Sequence, residues 1–156
     1  LRAGMGAVLQ DNWLFSGTVR ENIAIDPHAV PDADVLRAAK VAGVHDFIGT
    51  HPSGYDLQLT ERGEGLSGGH RQSICIARAL ARNPAILVFD EPTSMMDTAT
   101  EADLIARLRE ATAGRTVIVV THRSSVLDLV DRVIVMDKGK VIADGPKSML
   151  NAARGR

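Results

Sequence analysis

The sequence has one cysteine, few aromatic residues and almost no net charge, and each shortage excludes something. Cys75 is the single cysteine, so no internal disulfide can form, which fits a reducing compartment. It lies in an apolar helical stretch and reads as a small buried hydrophobe rather than a reactive thiol. Aromatics make up 3% of the chain, too few for a base-stacking surface. A net charge of −1 gives no electrostatic case for nucleic acid or anionic lipid as a partner. No apolar run approaches the ~18 to 20 residues of a membrane span. The longest, Ala85–Phe89 and Val117–Val120, have the length of core strands. No secretory leader is expected from Leu1-Arg2-Ala3-Gly4, which leads straight into a short apolar strand. That start in mid-pattern, without an initiator Met, suggests a piece of something longer. Finally, no G-x-x-x-x-G-K-[ST] phosphate-gripping loop occurs within the 156 residues.

What is present suits one domain, or most of one, and 45% hydrophobic residues allow a sizeable core. Ala7–Gln10 reads as a short strand that ends in polar residues. Thr18-Val19-Arg20-Glu21 has capping-box spacing and opens a short helix. Asp32–Ala42 carries Val35, Leu36, Ala39 and Ala42 at helical period, with Pro31 before it and Gly43 as a stop. Val44–Gly49 reads as a short helix and His51–Gly54 as a turn. Residues 18–66 contain no convincing strand, so an all-helical insertion is expected there. Ser67 should cap a helix running to about Arg82, with Ile74, Ala77, Leu80 and Ala81 buried. Ile86–Asp90 is a strand. Thr98-x-x-Glu101 is a second capping box, opening a helix with Leu104, Ile105, Leu108 and Ala111 inward. The apolar run Thr116–Thr121 does not alternate, so it predicts a strand buried on both faces. Ser124–Val130 is a short helix, and Val133–Asp137 with Lys140–Asp144 form a hairpin around Lys138-Gly139. Strands alternating with helices predict an α/β layered domain.

The chemistry concentrates in two places. Leu66-Ser67-Gly68-Gly69-His70 leaves uncovered N–H groups at a helix N-terminus, and Ser67 adds a hydroxyl. Together with the helix dipole this makes a site for phosphate. Asp90 and Glu91 end an apolar strand at the carboxyl edge of the sheet, where α/β domains bind ligands. Phosphoanhydride hydrolysis needs a metal to neutralise phosphate charge and a group to orient or deprotonate water. Alternation along the strand sends the two side chains apart, so Asp90 is assigned to magnesium, through water, and Glu91 to the attacking water. A positioned general base contributes ~10² to 10⁴ in rate. His122, at the end of another buried strand, can contact a terminal phosphate from the same edge. The amide of Gln10 can meet both metal and water. His28, His45 and His51 lack metal-ligand spacing and read as surface residues.

These residues, in order along essentially the whole chain, resemble the nucleotide-binding domain of an ABC transporter. Gln10 resembles the Q-loop glutamine, Leu66–His70 the signature motif, Ile86–Glu91 Walker B, Ser94–Asp97 the D-loop with Asp97, and His122 the switch histidine. Glu61–Gly65 resembles the segment that contacts transmembrane coupling helices in exporters. The Asp137–Gly145 stretch is similar to the hairpin near the family's C-terminus. Leu14–Ile23 is similar to exporters, and Gln10-Asp11-Asn12 with Gly63–Leu66 leans towards bacterial type I protein secretion. His70 stands where the family usually has Gln. Met95-Met96 stands where Ala-Leu is usual, which should preserve an apolar contact.

The resemblance implies a partial P-loop NTPase core, with a parallel sheet and an inserted helical subdomain. Residues 1–17 would be the Q-loop part of the core, 18–83 the helical subdomain and 84–156 the rest of the core. It implies ATP and Mg2+ as cofactors. It implies a second nucleotide-binding domain paired head to tail, transmembrane domains as partners, and a place at the cytoplasmic face of the inner membrane. Ser67, Gly68, Gly69 and His70 would then face the partner's ATP, while Glu91 and His122 serve ATP held by this chain's own Walker A, which in the family lies upstream of Leu1. Without that loop the chain alone is expected to be inactive, and Ile86–Asp90 and Thr116–Thr121 are expected to show exposed edges and apolar surface. Two other readings stay open. One is a non-catalytic module that lends its signature to a partner. The other is a DNA-maintenance ATPase of the SMC type, which the lack of sustained heptads opposes.

Overall fold

The computed structural model describes residues 4–26 and 28–149. The lead-in residues 1–3 lie outside that range. A three-stranded parallel sheet is made of β1 (Met5–Val8), β4 (Ile86–Asp90) and β5 (Thr116–Val120), in the order β1-β4-β5. Between β1 and β4 the chain makes a helical layer. It holds α1 (Val19–Ala24), α2 (Asp32–Ala42), α3 (His45–Thr50) and α4 (Gly68–Ala81). It also holds a two-residue antiparallel pair, β2 (Gly17–Thr18) with β3 (Gln58–Leu59). The insertion is therefore not all-helical: this short bridge closes the loop that α1 to α3 fill. Next come α5 (Thr98–Ala111), a 3-10 turn at Ser125–Leu129, and the antiparallel hairpin β6 (Arg132–Asp137) and β7 (Lys140–Pro146).

Local chemistry explains most boundaries. Thr18 and Glu21 make the reciprocal capping box, with Thr18 Oγ1 accepting from the Glu21 N–H at 3.0 Å and Glu21 Oε2 accepting from the Thr18 N–H at 2.7 Å. Gly43 ends α2 in the left-handed conformation, φ 75°. Lys138 and Gly139 both take positive φ, the backbone a two-residue hairpin turn demands. The second capping box does not form. Asp97, one residue earlier than Thr98, is the cap of α5, accepting from the N–H groups of Ala99 and Thr100 at 3.0 Å each. Glu101 is thereby left for a different task.

The sheet differs from expectation in three respects. β1 begins at Met5 and ends at Val8, earlier than Ala7–Gln10, so Gln10 lies in the bend beyond the strand. β5 is covered on one face only. In register, Gly6, Leu87 and Val117, and then Val8, Phe89 and Val119, share the face turned to the helices. On the opposite face Ile118 and Val120 are about half exposed. The apolar run of β5 has the composition of a two-sided strand, but among the described residues nothing packs on its second face. Among the described residues the free ladder edges belong to β1 and β5; β4 is hydrogen-bonded on both sides and is not an edge.

Helix α4 packs on β1, α1 and α2 together. Its approach to the sheet needs glycine at position 6, where a Cβ would stand 2.2 Å from the Ala79 carbonyl oxygen. That oxygen is backbone and cannot swing away. Gly6→Val should therefore destabilise the fold by about 1–3 kcal/mol through overpacking, read as a lower midpoint in urea unfolding. An unchanged midpoint would mean that α4 does not seat this tightly.

Candidate functional site

Parallel strands deliver their carboxyl ends to one edge, and here three chain segments leave that edge together: Val8 towards Gln10, Asp90 into Glu91, and Val120 into Thr121 and His122. Asp90 closes the β4–β5 ladder opposite Val120. The Glu91 N–H extends it by one bond to the Val120 carbonyl, at 2.9 Å. Glu91 then turns into the left-handed region, φ 48°, and leaves the strand. The two acids are thus separated by this turn rather than by strand alternation. A non-glycine residue held there stores strain of order 1–3 kcal/mol.

The turn aims the Glu91 side chain across the sheet edge at the β5 exit. Its Oε1 accepts from the His122 N–H at 3.1 Å and lies 2.7 Å from His122 Nδ1, while Oε2 accepts from the Thr121 hydroxyl at 3.3 Å. The Glu91 side chain is 18% exposed and that of His122 79%. The carboxylate is therefore sheltered, and the imidazole is its open rim. Among the described residues no hydrogen bond or ion pair engages the Asp90 carboxylate. Asp90 and Gln10 offer oxygen donors, the type magnesium takes beside water and phosphate, so the residues present suit that ion.

The Ser-Gly-Gly turn caps α4 as expected. Ser67 Oγ accepts from the His70 N–H at 3.1 Å, which leaves the hydroxyl proton free to donate outwards. Gly68 is pressed by Met95, whose Cβ would be 3.2 Å from a Cβ at that position. The two methionines divide their roles: Met96 is buried in the core, and Met95 is 59% exposed over the glycines. The His70 ring stacks on Phe47 of α3, with centroids 3.8 Å apart and planes inclined by 23°. Burial against that ring lowers the His70 pKa from its ordinary value. Asp97 is the α5 cap. It also accepts from the Thr100 hydroxyl at 2.7 Å, and the Thr100 side-chain and backbone hydrogen bonds lower its pKa.

Sequence reasoning did not find the roles of several residues that hold these pieces in place. Gln72, on α4, reaches the turn after β4 and is buried. Glu101, also buried, accepts from Arg123 and Ser125 and so ties α5 to the segment after His122. Burial alone would raise its pKa, but the Ser125 and Arg123 hydrogen bonds and the Arg123 charge outweigh this and hold it below the ordinary value. Asn22 and Arg78 pin the loop after Gln10. Asn22 bonds both the N–H and the carbonyl of Phe15, and Arg78 donates to the carbonyls of Asn22 and Trp13. One signal was available for Gln72: it shares the core stripe of Ile76 and Leu80 at positions i, i+4 and i+8, where a polar side chain needs a reason.

With this geometry in view, the comparisons with known proteins are specific. Residues 1–94 match the ABC transporter family model, and the chain belongs to that family. It is 47% identical over 150 residues to the exotoxin translocation ATP-binding protein PaxB of Pasteurella aerogenes, covering 96% of this chain and 21% of that protein. It is 48% identical over 145 residues to the leukotoxin translocation ATP-binding protein LktB of Mannheimia haemolytica, covering 93% and 20%. The structure of a bacterial Atm1-family ABC exporter with ATP bound superposes with a TM-score of 0.90 at 41% identity, over 97% of this chain and 27% of that one. The α/β architecture with its parallel sheet is thus that of a partial P-loop NTPase fold. The chain spans about a fifth of the length of the curated relatives it matches. Among the described residues no helix is long and apolar enough to cross a membrane.

The His70 stack generates a pH prediction. A histidine whose folded pKa lies below its unfolded value near 6.5 favours the folded state when neutral. Its contribution is complete above that pH and is lost as pH falls through the folded value. The unfolding midpoint should therefore decline on acidification from pH 7 to 5, and decline less in His70→Gln. Parallel pH profiles for the two proteins would remove His70 from this role.

Proposed function

We propose that this chain supplies the hydrolytic and signature portions of the ATP-binding part of an ABC exporter, coupling ATP hydrolysis to transport across a membrane. The observation that carries the reading is the Glu91 carboxylate, held at the sheet edge by Thr121 and His122 beside an unengaged Asp90. Glu91 orients the attacking water and receives its proton, and His122 holds Glu91 and faces the terminal phosphate. Asp90, through water, and Gln10 would hold magnesium, which supplies charge neutralisation on the phosphates when bound. Ser67, Gly68, Gly69 and His70 face the ATP of a second nucleotide-binding domain paired head to tail. Asp97 sets the start of α5 at that interface.

The transmembrane partner is met through Glu61–Gly65 and the loop after Gln10. On this reading the chain lies at the cytoplasmic face of the inner membrane, with residues 18–83 as the helical subdomain between two core segments. The toxin-translocation names of the relatives support type I protein secretion as the transport class. A second reading, a non-catalytic module that lends Ser67–Gly69 to a partner's ATP, draws support from the Ser67 hydroxyl, which accepts from the His70 N–H and keeps its own proton for an outside acceptor.

Steady-state ATP hydrolysis tests both readings. The 156-residue chain alone should show no turnover above its Glu91→Gln control. Mixed with an exporter domain that carries Walker A, it should raise that domain's turnover, and Ser67→Ala should remove about tenfold or more of the increase. Glu91-dependent turnover by the chain alone would overturn the assignment of nucleotide grip to another segment. A mixture no faster than the added domain would overturn the role given to the Ser-Gly-Gly turn.

A further inference from the structure

Gln72 is 1% exposed, and both of its amide donors are used. Its Nε2 donates to the Glu91 carbonyl at 3.0 Å and to Ser94 Oγ at 3.2 Å. Its Oε1 accepts from the Met95 N–H at 3.1 Å. All three partners lie in the turn that joins β4 to α5, and Gln72 itself lies on α4, five residues after Ser67. A buried amide bonded at both ends is costly to disturb, because every lost partner leaves a desolvated polar atom.

The placement of these bonds gives them a consequence beyond packing. Glu91 sits at φ 48°, a backbone conformation that its surroundings must hold. The peptide before it is fixed by the Glu91 N–H on the Val120 carbonyl, at 2.9 Å. The peptide after it is fixed by Gln72 on the Glu91 carbonyl. With both peptides anchored, the Glu91 side chain has one direction to leave, towards Thr121 and His122. The same glutamine binds the Met95 N–H, and the Met95 side chain lies against Gly68. One side chain therefore grips the backbone beneath the carboxylate and the residue that covers the glycine turn.

We propose that Gln72 is a positioning residue that couples the Ser67–Gly69 turn to the Glu91 carboxylate. The functional weight of this coupling rests on the reading above, in which the turn serves one ATP and Glu91 another. A shift of the α4 N-terminus on anion engagement is carried through Gln72 to the turn after β4, and so to the direction of the carboxylate. The residue touches no reacting atom.

The His122 N–H gives a readout that packing alone would not move, since it is bonded to Glu91 Oε1 at 3.1 Å and makes no hydrogen bond with Gln72. Amide hydrogen exchange on the 156-residue chain measures it directly. In Gln72→Met the His122 amide should exchange about fivefold faster or more, while amides of the β6–β7 ladder stay unchanged. Ser94→Ala, at an exposed position, removes one Gln72 bond without opening the core and should accelerate His122 by about twofold. An unchanged His122 amide in a folded variant would overturn the proposal, as would an equal rise across all amides. If Gln72→Met does not fold, Ser94→Ala decides by the same criterion. This readout needs no ATP, so a failure of the ATPase reading shows in the turnover assay and a failure of the coupling shows here.

Discussion

The architecture depends on the burial of α4 on nearly every side. From Gln72 to Ala81 only Arg78 escapes full burial, and that residue is spent on the carbonyls of Asn22 and Trp13. A helix apolar around its whole circumference has to be surrounded. Here β1, α1 and α2 surround it, and the small side chains of Ala77, Ala79 and Ala81, with Gly6 opposite, allow close approach. Interiors packed at this density transmit displacement rather than absorb it. Because α4 is packed from Gln72 onward, its N-terminus is positioned by the core and moves with it. The Ser67 hydroxyl and the glycine amides are therefore presented by the core, not by a loop.

The acidic site has the complementary construction. It is made where backbone order ends, at the exits of β1, β4 and β5. The strained turn at Glu91 would relax if its partners were removed. It is held because hydrogen bonds reach it from three directions: β5 through the Val120 carbonyl, the β5 exit through Thr121 and His122, and α4 through Gln72. Each contributes about 0.5–1.5 kcal/mol net, more where a charge is involved, so together they are of the size needed to offset the strain. The buried Glu101 does the same service one layer further out, binding α5 to Arg123 and Ser125 just beyond His122.

Much of this was legible in the sequence, for reasons that can be named. The Ile86–Asp90 strand stood out because five residues of mostly apolar, β-favouring type end abruptly in acids. The α4 cap and the Thr18 box were legible because capping is local chemistry. The cap of α5 was misplaced by one residue because Asp97 and Thr98 are both good caps, and the choice between them fell to Glu101, which is drawn off to Arg123. The start of β1 was misplaced because Gly6 reads as a strand breaker, while here it marks the close passage of a helix. β5 was expected to be covered on both faces because composition records what a strand tolerates, not which neighbours are at hand. The roles of Gln72 and Glu101 were missed because their partners lie 19 to 24 residues away, beyond any periodic pattern.

The two departures from the usual family pattern meet at one small surface. His70 replaces an amide with a ring, and the ring is spent on Phe47, so the residue after the glycines is held by stacking to α3. Met95 places an unbranched, adaptable side chain over Gly68, where a shorter one would leave the glycine amides more open. Both changes add dispersion contact at the rim of the glycine turn, the first in place of an amide's directional bonding, and neither replaces the amides of Gly68 and Gly69 or the Ser67 hydroxyl. The groups that would meet phosphate are therefore kept, while the stiffness of their frame is reset. Any difference between this turn and its relatives should accordingly lie in how readily the turn moves with α3 and α4, rather than in the chemistry it offers to an anion.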